Sequence, residues 1–330
     1  MMSRATPHKA RRTLSQRFSR PAALRFLKIA LLFLRNRALQ DEKITDSSHV
    51  RFVRRRPKRR RADALLTLLG IAVGLCLSFP IFYGILGAFK TPAEFTAYPP
   101  SVLPSSFAYL DNFRAALTGL PIFRLMGNSL IVAALGAGVR VLLATLAAYA
   151  FAFFTFRGKK LLFFLLLGTM MFPADTLIVT NYLTVTRLGL VDTYLGICIT
   201  SFVGASTMFM LRQHFRALPG ALREAAVIDG CGDLRFLASV LLPISRAMLL
   251  IVFVQSFVAQ WNAYLWPLLV TNRTEMRTMQ IGIAMLTTVE GTNYEQVLAG
   301  VALSMIPAFV LFLILRRSIV HRVTAGAIVG

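Results

Sequence analysis

The chain has 330 residues, of which 56% are hydrophobic and 15% are charged, and its mean hydropathy is +0.64. A soluble domain usually carries about 25% charged and 45–50% apolar residues, so this composition excludes an ordinary soluble domain. Apolar runs near the roughly 20 residues that a membrane-spanning helix needs occupy most of the chain after residue 63. We therefore expect an all-α integral membrane protein.

The formal net charge of +23 is concentrated near the N-terminus. Residues 1–63 contain 19 of the 37 Lys and Arg residues and four of the 14 Asp and Glu residues. We predict that residues 1–62 are a basic extension, disordered or lying on the membrane surface, and that residues 63–330 form a transmembrane domain. The basic run 54–61 directly precedes an apolar segment and is interpreted as a topology signal. A membrane-tethered regulator that binds nucleic acid through this run is the alternative from another functional class.

Hydropathy predicts six transmembrane helices, and an even number places both termini on the same side of the membrane. After the basic extension, the segments on that side carry eleven Lys and Arg residues, whereas the opposite segments carry six. Basic residues accumulate on the cytoplasmic side, so both termini are predicted to be cytoplasmic. The predicted spans are residues 64–89, 128–154, 161–179, 193–211, 247–269 and 297–315.

Candidate catalytic and metal-binding groups are sparse. The three cysteines and four histidines are far apart along the chain and lack the Cys-x-x-Cys or His-x-x-x-His spacing of metal sites, so no metal is predicted. Gly158-Lys159-Lys160 lacks the upstream glycine and the hydroxyl residue of a nucleotide-binding phosphate loop. We expect no enzyme activity in this chain, since an integral-membrane enzyme would need a convergent set of acidic and histidine side chains.

Residues 212–246, between the predicted fourth and fifth spans, have the pattern of two short helices joined by a sharp turn; we call them the inner loop. Pro219 suits a first helical turn, and strong helix formers follow it. Gly230 is expected to end this helix in the left-handed conformation. Asp233 is expected to cap the second helix, and Pro243 is expected to end it.

The first helix of the inner loop has a shape suited to docking. Ala225 and Ala226 should leave one side of it nearly flat, and Glu224 offers a charge to a basic partner. An ordered loop with no docking role fits the composition equally well, but the spacing favours docking. Glu224-Ala225-Ala226 is followed after three residues by Gly230 and after nine more by the run Val240 to Pro243. This pattern resembles the EAA loop of ABC importer permeases, which usually have isoleucine at the position of Val240.

Further stretches resemble the carbohydrate-type branch of that family, in the subunit related to the second maltose permease. The resemblance covers about residues 63 to 330. The family usually ends Gly-Ala-Val-Lys-Gly, whereas this chain ends Gly326-Ala327-Ile328-Val329-Gly330 and lacks that lysine. The stretches are Asn128-Ser129-Leu130, Ala148-Tyr149-Ala150, Phe172-Pro173, Asp192-Thr193-Tyr194, Trp261-Asn262-Ala263-Tyr264-Leu265-Trp266-Pro267-Leu268 and Thr324-Ala325-Gly326-Ala327.

The resemblance implies a permease subunit in the bacterial inner membrane, with six transmembrane helices and an EAA loop between spans 4 and 5. It implies three partners: a second permease subunit, a dimer of ABC ATPase subunits that docks on the EAA loop, and an extracytoplasmic solute-binding protein. ATP and Mg would bind to the ATPase subunits, and this chain would need no cofactor. The residues implied for ATPase coupling are Glu224, Ala225, Ala226, Asp229, Gly230, Leu242 and Pro243.

Polar groups inside the predicted spans are candidates for contact with the solute, because they are costly in lipid. Arg140 lies 12 residues into the second predicted span, about 18 Å from its outer end. A cation here resembles the glycerol-3-phosphate and glycerophosphodiester importers of the family; the alternative is a structural pairing with Asp175 or a backbone carbonyl. Neutral oligosaccharides remain the alternative substrates. The candidate path residues are Arg140, Asp175, Gln260, Trp261 and Asn262.

Overall fold

The computed structural model describes residues 60–288 and 291–326, and it describes side chains between residues 64 and 314 apart from 174, 175 and 288–292. The predicted N-terminal extension therefore lies almost entirely outside the described residues. The chain divides into two units after Val73, and the contacts reported below lie within the second unit.

The described part of the chain is almost entirely helical. The helices are α1 (Arg60–Gly87), α2 (Pro92–Thr96), α3 (Asp111–Gly119), α4 (Ile122–Phe153), α5 (Lys159–Thr169), α6 (Ile178–Arg187), α7 (Tyr194–Cys198), α8 (Ala205–Ala217), α9 (Ala221–Ile228), α10 (Asp233–Phe236), α11 (Leu242–Trp261), α12 (Leu265–Val270), α13 (Met279–Met285) and α14 (Tyr294–Gly326). They are joined by the 3₁₀ turns Ala174–Leu177, Ile199–Ser201 and Thr274–Met276, the π turn Leu237–Leu241, and an antiparallel hairpin of β1 (Thr287–Thr288) and β2 (Gly291–Thr292).

Among the described residues, four helical segments have the length and apolar character needed to cross a bilayer: Ala64–Gly87, Ile122–Phe153, Asp233–Trp261 and Tyr294–Ile314. A fifth crossing is obtained if the bent pair of segments Tyr194–Ser201 and Ala205–Ala217, inclined at 53° to one another, counts as one span. The all-helical membrane architecture expected from composition is therefore confirmed, while the count of six spans stays a prediction.

The predicted span at residues 161–179 is not one continuous helix. α5 ends at Thr169, and the chain passes Pro173 before the 3₁₀ turn and α6 begin. A proline has no N–H to donate and disfavours helical geometry at the residue before it, which explains the break. In the predicted fourth span, the break lies before Gly204, whose extended backbone (φ −144°, ψ 104°) separates α7 and its 3₁₀ turn from α8.

The expectation that Pro243 ends a short helix is wrong. The chain remains helical from Asp233 to Trp261, passing through α10, the π turn and α11, with Pro243 in the first turn of α11. A proline inside an α-helix normally clashes with the carbonyl four residues earlier and leaves it without a hydrogen bond. The wider π turn that ends at Leu241 shifts the carbonyls that precede Pro243, so the helix accommodates the proline. The inner loop is therefore continuous with the membrane-spanning helix that follows it.

The main core lies along α4, which contacts α7, α8, α11 and α13. Small residues on α4 let these helices approach closely, as is usual for helix packing in membranes. The buried small residues of α4 are Ser129, Ala133, Gly136, Ala137, Ala144, Ala148 and Thr145.

Candidate functional site

The first helix of the inner loop, α9, ends in the left-handed glycine cap that the sequence predicts. Gly230 has φ +68°, and its N–H donates to the Val227 carbonyl at 3.0 Å. The next N–H, of Cys231, donates to the Ala226 carbonyl at 2.8 Å. These two bonds form a Schellman motif, which satisfies the last carbonyls of α9 and reverses the chain direction.

The two alanines of the Glu-Ala-Ala sequence lie on different sides of α9, so they do not form one flat face. Ala226 is 1% exposed and packs in a core cluster with residues of α4, α8 and α11. Glu224 and Ala225 are exposed, as are Val227 at 63% and Ile228 at 84%. α9 is thus seated on the chain's own core by Ala226, while an acidic and apolar surface is left free for a partner.

The remaining predicted coupling residues lie at the end of α9 and at the start of α11. Asp229 is exposed at the C-cap of α9, directly before Gly230. Leu242 packs against the core cluster that contains Ala226, and Pro243 is exposed. A groove beside α9 is lined by Phe153, Gly220, Arg223, Glu224, Val227 and Ile228.

A residue set that the sequence analysis missed connects α9 to the rest of the molecule. Arg223 Nη2 donates to Asp233 Oδ1 at 2.9 Å, and the Arg223 guanidinium carbon lies 5.2 and 5.4 Å from the ring centroids of Phe153 and Phe154. The Tyr149 hydroxyl donates to the Asp233 backbone carbonyl at 3.0 Å. We call Arg223, Asp233 and Tyr149 the loop clamp.

The position of Asp233 also corrects an expectation. Gly232, not Asp233, occupies the N-cap of α10, and no side chain caps that helix. The Asp233 carboxylate is engaged by Arg223 and so does not turn back onto the helix terminus. The only sequence signal for the Arg223–Asp233 pair was the presence of opposite charges on either side of the glycine turn. Tyr149 belongs to the stretch Ala148-Tyr149-Ala150, which was quoted for the family resemblance.

Basic side chains cover the C-terminal end of α4. Lys159 Nζ donates to the Phe154 carbonyl at 2.7 Å, and Arg212 Nε donates to the Phe151 carbonyl at 3.2 Å. Cations at a helix C-terminus satisfy its free carbonyls and interact favourably with the helix dipole. Partial burial and then the neighbouring charges of Arg212 and Arg216 lower the pKa of Lys159. This end of α4 therefore carries a cluster of cationic side chains.

Arg140 lies near the middle of α4 and is half-buried. Its Nε donates to the Ser201 backbone carbonyl at 2.5 Å, at the break between the 3₁₀ turn and α8. Its Cδ would lie 3.2 Å from a Cβ added at Gly204, so the arginine packs directly against the broken segment. Among the described side chains no carboxylate pairs with Arg140.

Gln260 approaches the same region from α11. Its Nε2 is buried without a hydrogen-bond partner among the described residues, and it would lie 2.7 Å from a Cβ added at Gly136. The same added Cβ would lie 3.2 Å from Ser201 Oγ. The fold thus brings Gln260, 120 positions from Arg140 in sequence, against α4 at Gly136, one helical turn from Arg140.

The other predicted path residues are placed differently. Trp261 is 3% exposed and stacks on Phe257, with ring centroids 6.1 Å apart, so in this conformation it offers no free face to a solute. Asn262 is exposed just after α11. Asp175 lies in the 3₁₀ turn Ala174–Leu177, and its side chain is outside the described residues.

At the predicted outer end of α4, polar side chains hold the loop of residues 271–278. Asn128 donates to two backbone carbonyls of this loop at 2.8 and 2.9 Å and accepts a hydrogen bond from the Tyr194 hydroxyl at 2.8 Å. Asp192 accepts two backbone N–H groups of the loop at 2.7 and 3.0 Å. The stretches 128–130 and 192–194, which resemble the family, therefore hold the loop of residues 271–278 against α4.

A segment nearer the N-terminus is also held by side chain to backbone bonds. Glu94 accepts the N–H groups of Thr91 and Ser105, each at 2.9 Å. Hydrogen bonding by Ser105 and Thr91 lowers the pKa of Glu94 from 4.5 to about 2. These hydrogen bonds hold the stretch of residues 91–105 in one conformation.

Known proteins resemble this chain along most of its length. Residues 109–325 match the family described as the inner membrane component of binding-protein-dependent transport systems. The sn-glycerol-3-phosphate transport system permease protein UgpE of Brucella abortus (strain 2308) is 31% identical over 274 residues, covering 80% of this chain and 96% of the relative. The protein of the same name from Agrobacterium fabrum (strain C58 / ATCC 33970) is 33% identical over 273 residues, with the same coverage.

Solved structures share the fold as well. A chain in the crystal structure of a bacterial ABC transporter involved in the import of the acidic polysaccharide alginate superposes with a TM-score of 0.68. It is 21% identical, and the match covers 79% of this chain and 97% of that chain. The family match, residues 109–325, contains α4, the inner loop and α11. This chain belongs to the family of inner-membrane permease components of binding-protein-dependent transport systems.

Proposed function

We propose that this chain is the permease subunit of an ATP-driven importer whose substrates are sn-glycerol 3-phosphate or glycerophosphodiesters. The family establishes a transport component of the inner membrane. The relatives named for glycerol 3-phosphate, at 31–33% identity, support that substrate. The observation that carries the anionic class is Arg140, a cation at the centre of an apolar helix that no described carboxylate neutralises.

The energetics of the membrane interior favour this role for Arg140. A charged group in the middle of a span is costly and usually faces a cavity, a pathway or a partner. Its single described bond, to the Ser201 carbonyl, leaves the positive charge available to a phosphate, which an arginine binds with two parallel N–H donors. Gln260 adds an amide donor beside Gly136, one helical turn from Arg140 on α4, and Asn262 and Asp175 are proposed as further polar contacts along the path.

Coupling to ATP hydrolysis is proposed for the inner loop. The exposed surface of α9, with Glu224, Ala225, Val227 and Ile228, is proposed to enter a cleft of a dimer of ABC ATPase subunits. Asp229 and Gly230 fix the end of that helix, and Leu242 and Pro243 lie at the start of α11, which carries the movement upward. ATP and Mg would bind to the ATPase subunits.

The proposed assembly contains one further permease subunit and an extracytoplasmic binding protein that delivers the solute. We propose six spans with both termini in the cytoplasm, which places the inner loop and the cations beneath α4 on the ATPase side. α5 and α6 would then together provide the third crossing, despite the break at Pro173. Closure of the ATPase dimer would move α9 and α11 as rigid bodies and change access to the path.

The test is uptake of labelled glycerol 3-phosphate by cells that carry or lack the gene, with a labelled neutral oligosaccharide as the comparison. Uptake of the phosphate should depend on the gene and should be lost with Glu224→Ala, while the amount of membrane-inserted protein stays unchanged. Gene-dependent uptake of the neutral sugar alone would refute the anionic substrate. Full uptake by Glu224→Ala would refute the assignment of α9 to coupling.

A further inference from the structure

Within the described residues, the inner loop contains a single ion pair, and it lies inside the loop clamp. Arg223 belongs to α9 and Asp233 to α10, so the pair crosses the glycine turn that separates these helices. The second terminal nitrogen of Arg223, Nη1, is buried without a hydrogen-bond partner. Asp233 and the rings of Phe153 and Phe154 are therefore the groups that hold this cation in place.

Tyr149 extends the clamp to α4. Its hydroxyl donates to the Asp233 carbonyl at 3.0 Å and lies 3.4 Å from Asp233 Oδ1. Its ring is 4% exposed and contacts the rings of Phe153 and Phe154, with centroids 5.3 Å away in both cases. The clamp thus joins three helices, α9, α10 and α4, through two polar contacts surrounded by aromatic rings.

Asp233 connects the two helices that carry Arg140 and Gln260, which are α4 and α11. Tyr149 lies nine residues, about 14 Å, from Arg140 along the uninterrupted α4. Asp233 begins the helical segment that ends at Trp261, one residue after Gln260. Continuous helices therefore connect α9, through the loop clamp, to both Arg140 and Gln260.

We propose that the loop clamp is the linkage that transmits movement between the partner-facing surface of α9 and the helices α4 and α11. This inference rests on the proposed function and adds positioning residues to it, since the three residues act through other groups and touch no solute. Arg223 couples α9 to α10, and Tyr149 couples α10 to α4. A clamp that only stabilised the fold would affect the amount of folded protein and leave the transported solute per ATP unchanged.

The test uses the complete importer, reconstituted in proteoliposomes with its second permease, ATPase subunits and binding protein. Two quantities are measured: labelled solute imported per ATP hydrolysed, and the fold stimulation of ATP hydrolysis by the binding protein. The variants are Arg223→Asp, Asp233→Arg and the double exchange of both charges. Arg235→Asp is the matched control, because Arg235 is exposed on α10 and forms no ion pair among the described residues.

We expect each single reversal to lower both quantities at least about tenfold, and we expect the double exchange to restore them to within about threefold of the wild type. Arg235→Asp should behave as the wild type. Wild-type values in both single variants would overturn the proposal, and so would a double exchange that is as defective as the singles. An equal defect in Arg235→Asp would also overturn it, because charge alone would then explain the loss.

Tyr149→Phe provides a variant that preserves packing. It keeps the aromatic contacts and removes only the hydroxyl, so it decides the question if a charge reversal prevents assembly. We expect a twofold to fivefold loss in both quantities, and wild-type values would overturn the proposal. A wild-type complex whose ATP hydrolysis is stimulated by the binding protein but which imports no glycerol 3-phosphate would refute the proposed substrate. The variants of the clamp would then be compared by the stimulation of ATP hydrolysis alone.

Discussion

Arg140 is the residue on which the choice of an anionic solute depends. A guanidinium that donates to one backbone carbonyl has further donors, and a phosphate can accept them in parallel. Arg140 contacts Ser201, and Gln260 approaches α4 one helical turn away at Gly136, so a solute at this point would meet the broken helix, α4 and α11 together. A neutral sugar would gain little from the charge.

We predict that Arg140→Gln lowers glycerol 3-phosphate uptake, as kcat/KM, by about tenfold to hundredfold. The reason is the loss of hydrogen bonds to a charged group, worth about 1.5–3 kcal/mol. Arg140→Lys keeps the charge and should retain more activity than Arg140→Gln. The measurement is uptake of the phosphate and of a neutral solute at equal membrane levels. An equal loss for both solutes in Arg140→Gln would show that Arg140 is only structural.

Gly230 is the residue that sets the geometry of the inner loop. Its φ of +68° is strained for any residue with a Cβ. A Cβ added there would meet no steric clash, because no described atom lies within 4 Å of it. We predict that Gly230→Ala costs about 1–2 kcal/mol through backbone strain alone and lowers uptake up to about tenfold. Gly232→Ala is the control, because that glycine has φ −67° and equally open surroundings. Equal uptake by the two variants would contradict this explanation.

At the scale of elements, close packing of α4 against its neighbours depends on a glycine. A Cβ at Gly136 would lie 2.7 Å from Gln260 Nε2 and 3.2 Å from Ser201 Oγ, so α4, α11 and the 3₁₀ turn before α8 meet at this position. Gly138, two residues further along α4, has nothing within 4 Å of its added Cβ. Gly136 is thus a tightly packed position and Gly138 an open one on the same helix.

We predict that Gly136→Val destabilises the protein by about 1–3 kcal/mol, as expected for an overpacked interior, whereas Gly138→Val has a much smaller effect. Both substitutions introduce the same β-branched side chain into α4, so helix propensity cancels in the comparison. Thermal unfolding of the solubilised complex is the measurement. A similar Tm for the two variants would contradict the packing assignment.

The elements differ in how well the sequence predicts them. The long spans and the glycine-capped helix α9 follow from local patterns of hydropathy and helix capping, and both are present. The continuation of the helix through Pro243 depends on a π turn, which has no reliable local signal. Opposite charges on either side of the glycine turn are the only sequence signal for the Arg223–Asp233 pair. The contact of Asn128 with the loop of residues 271–278 depends on how distant segments pack, so no local pattern predicts it.

At the scale of the whole molecule, the inner loop and the core form one mechanical unit. α9 is seated on the core by Ala226, and the helix that begins at Asp233 runs without interruption to Trp261. The loop of residues 271–278 is tied to α4 through Asn128 at the opposite end. We propose that movement imposed on α9 by a partner reaches both ends of the core through these helices and polar contacts, as rigid-body switching requires.

The most direct test of this account is ATP-driven uptake of labelled glycerol 3-phosphate by proteoliposomes that contain the complete importer. The account predicts uptake only when this chain, the ATPase subunits with ATP, and the binding protein are all present. It also predicts at least tenfold less uptake of a neutral oligosaccharide. Uptake that needs neither ATP nor the binding protein would contradict the account, and so would a complex that imports the neutral sugar and excludes the phosphate.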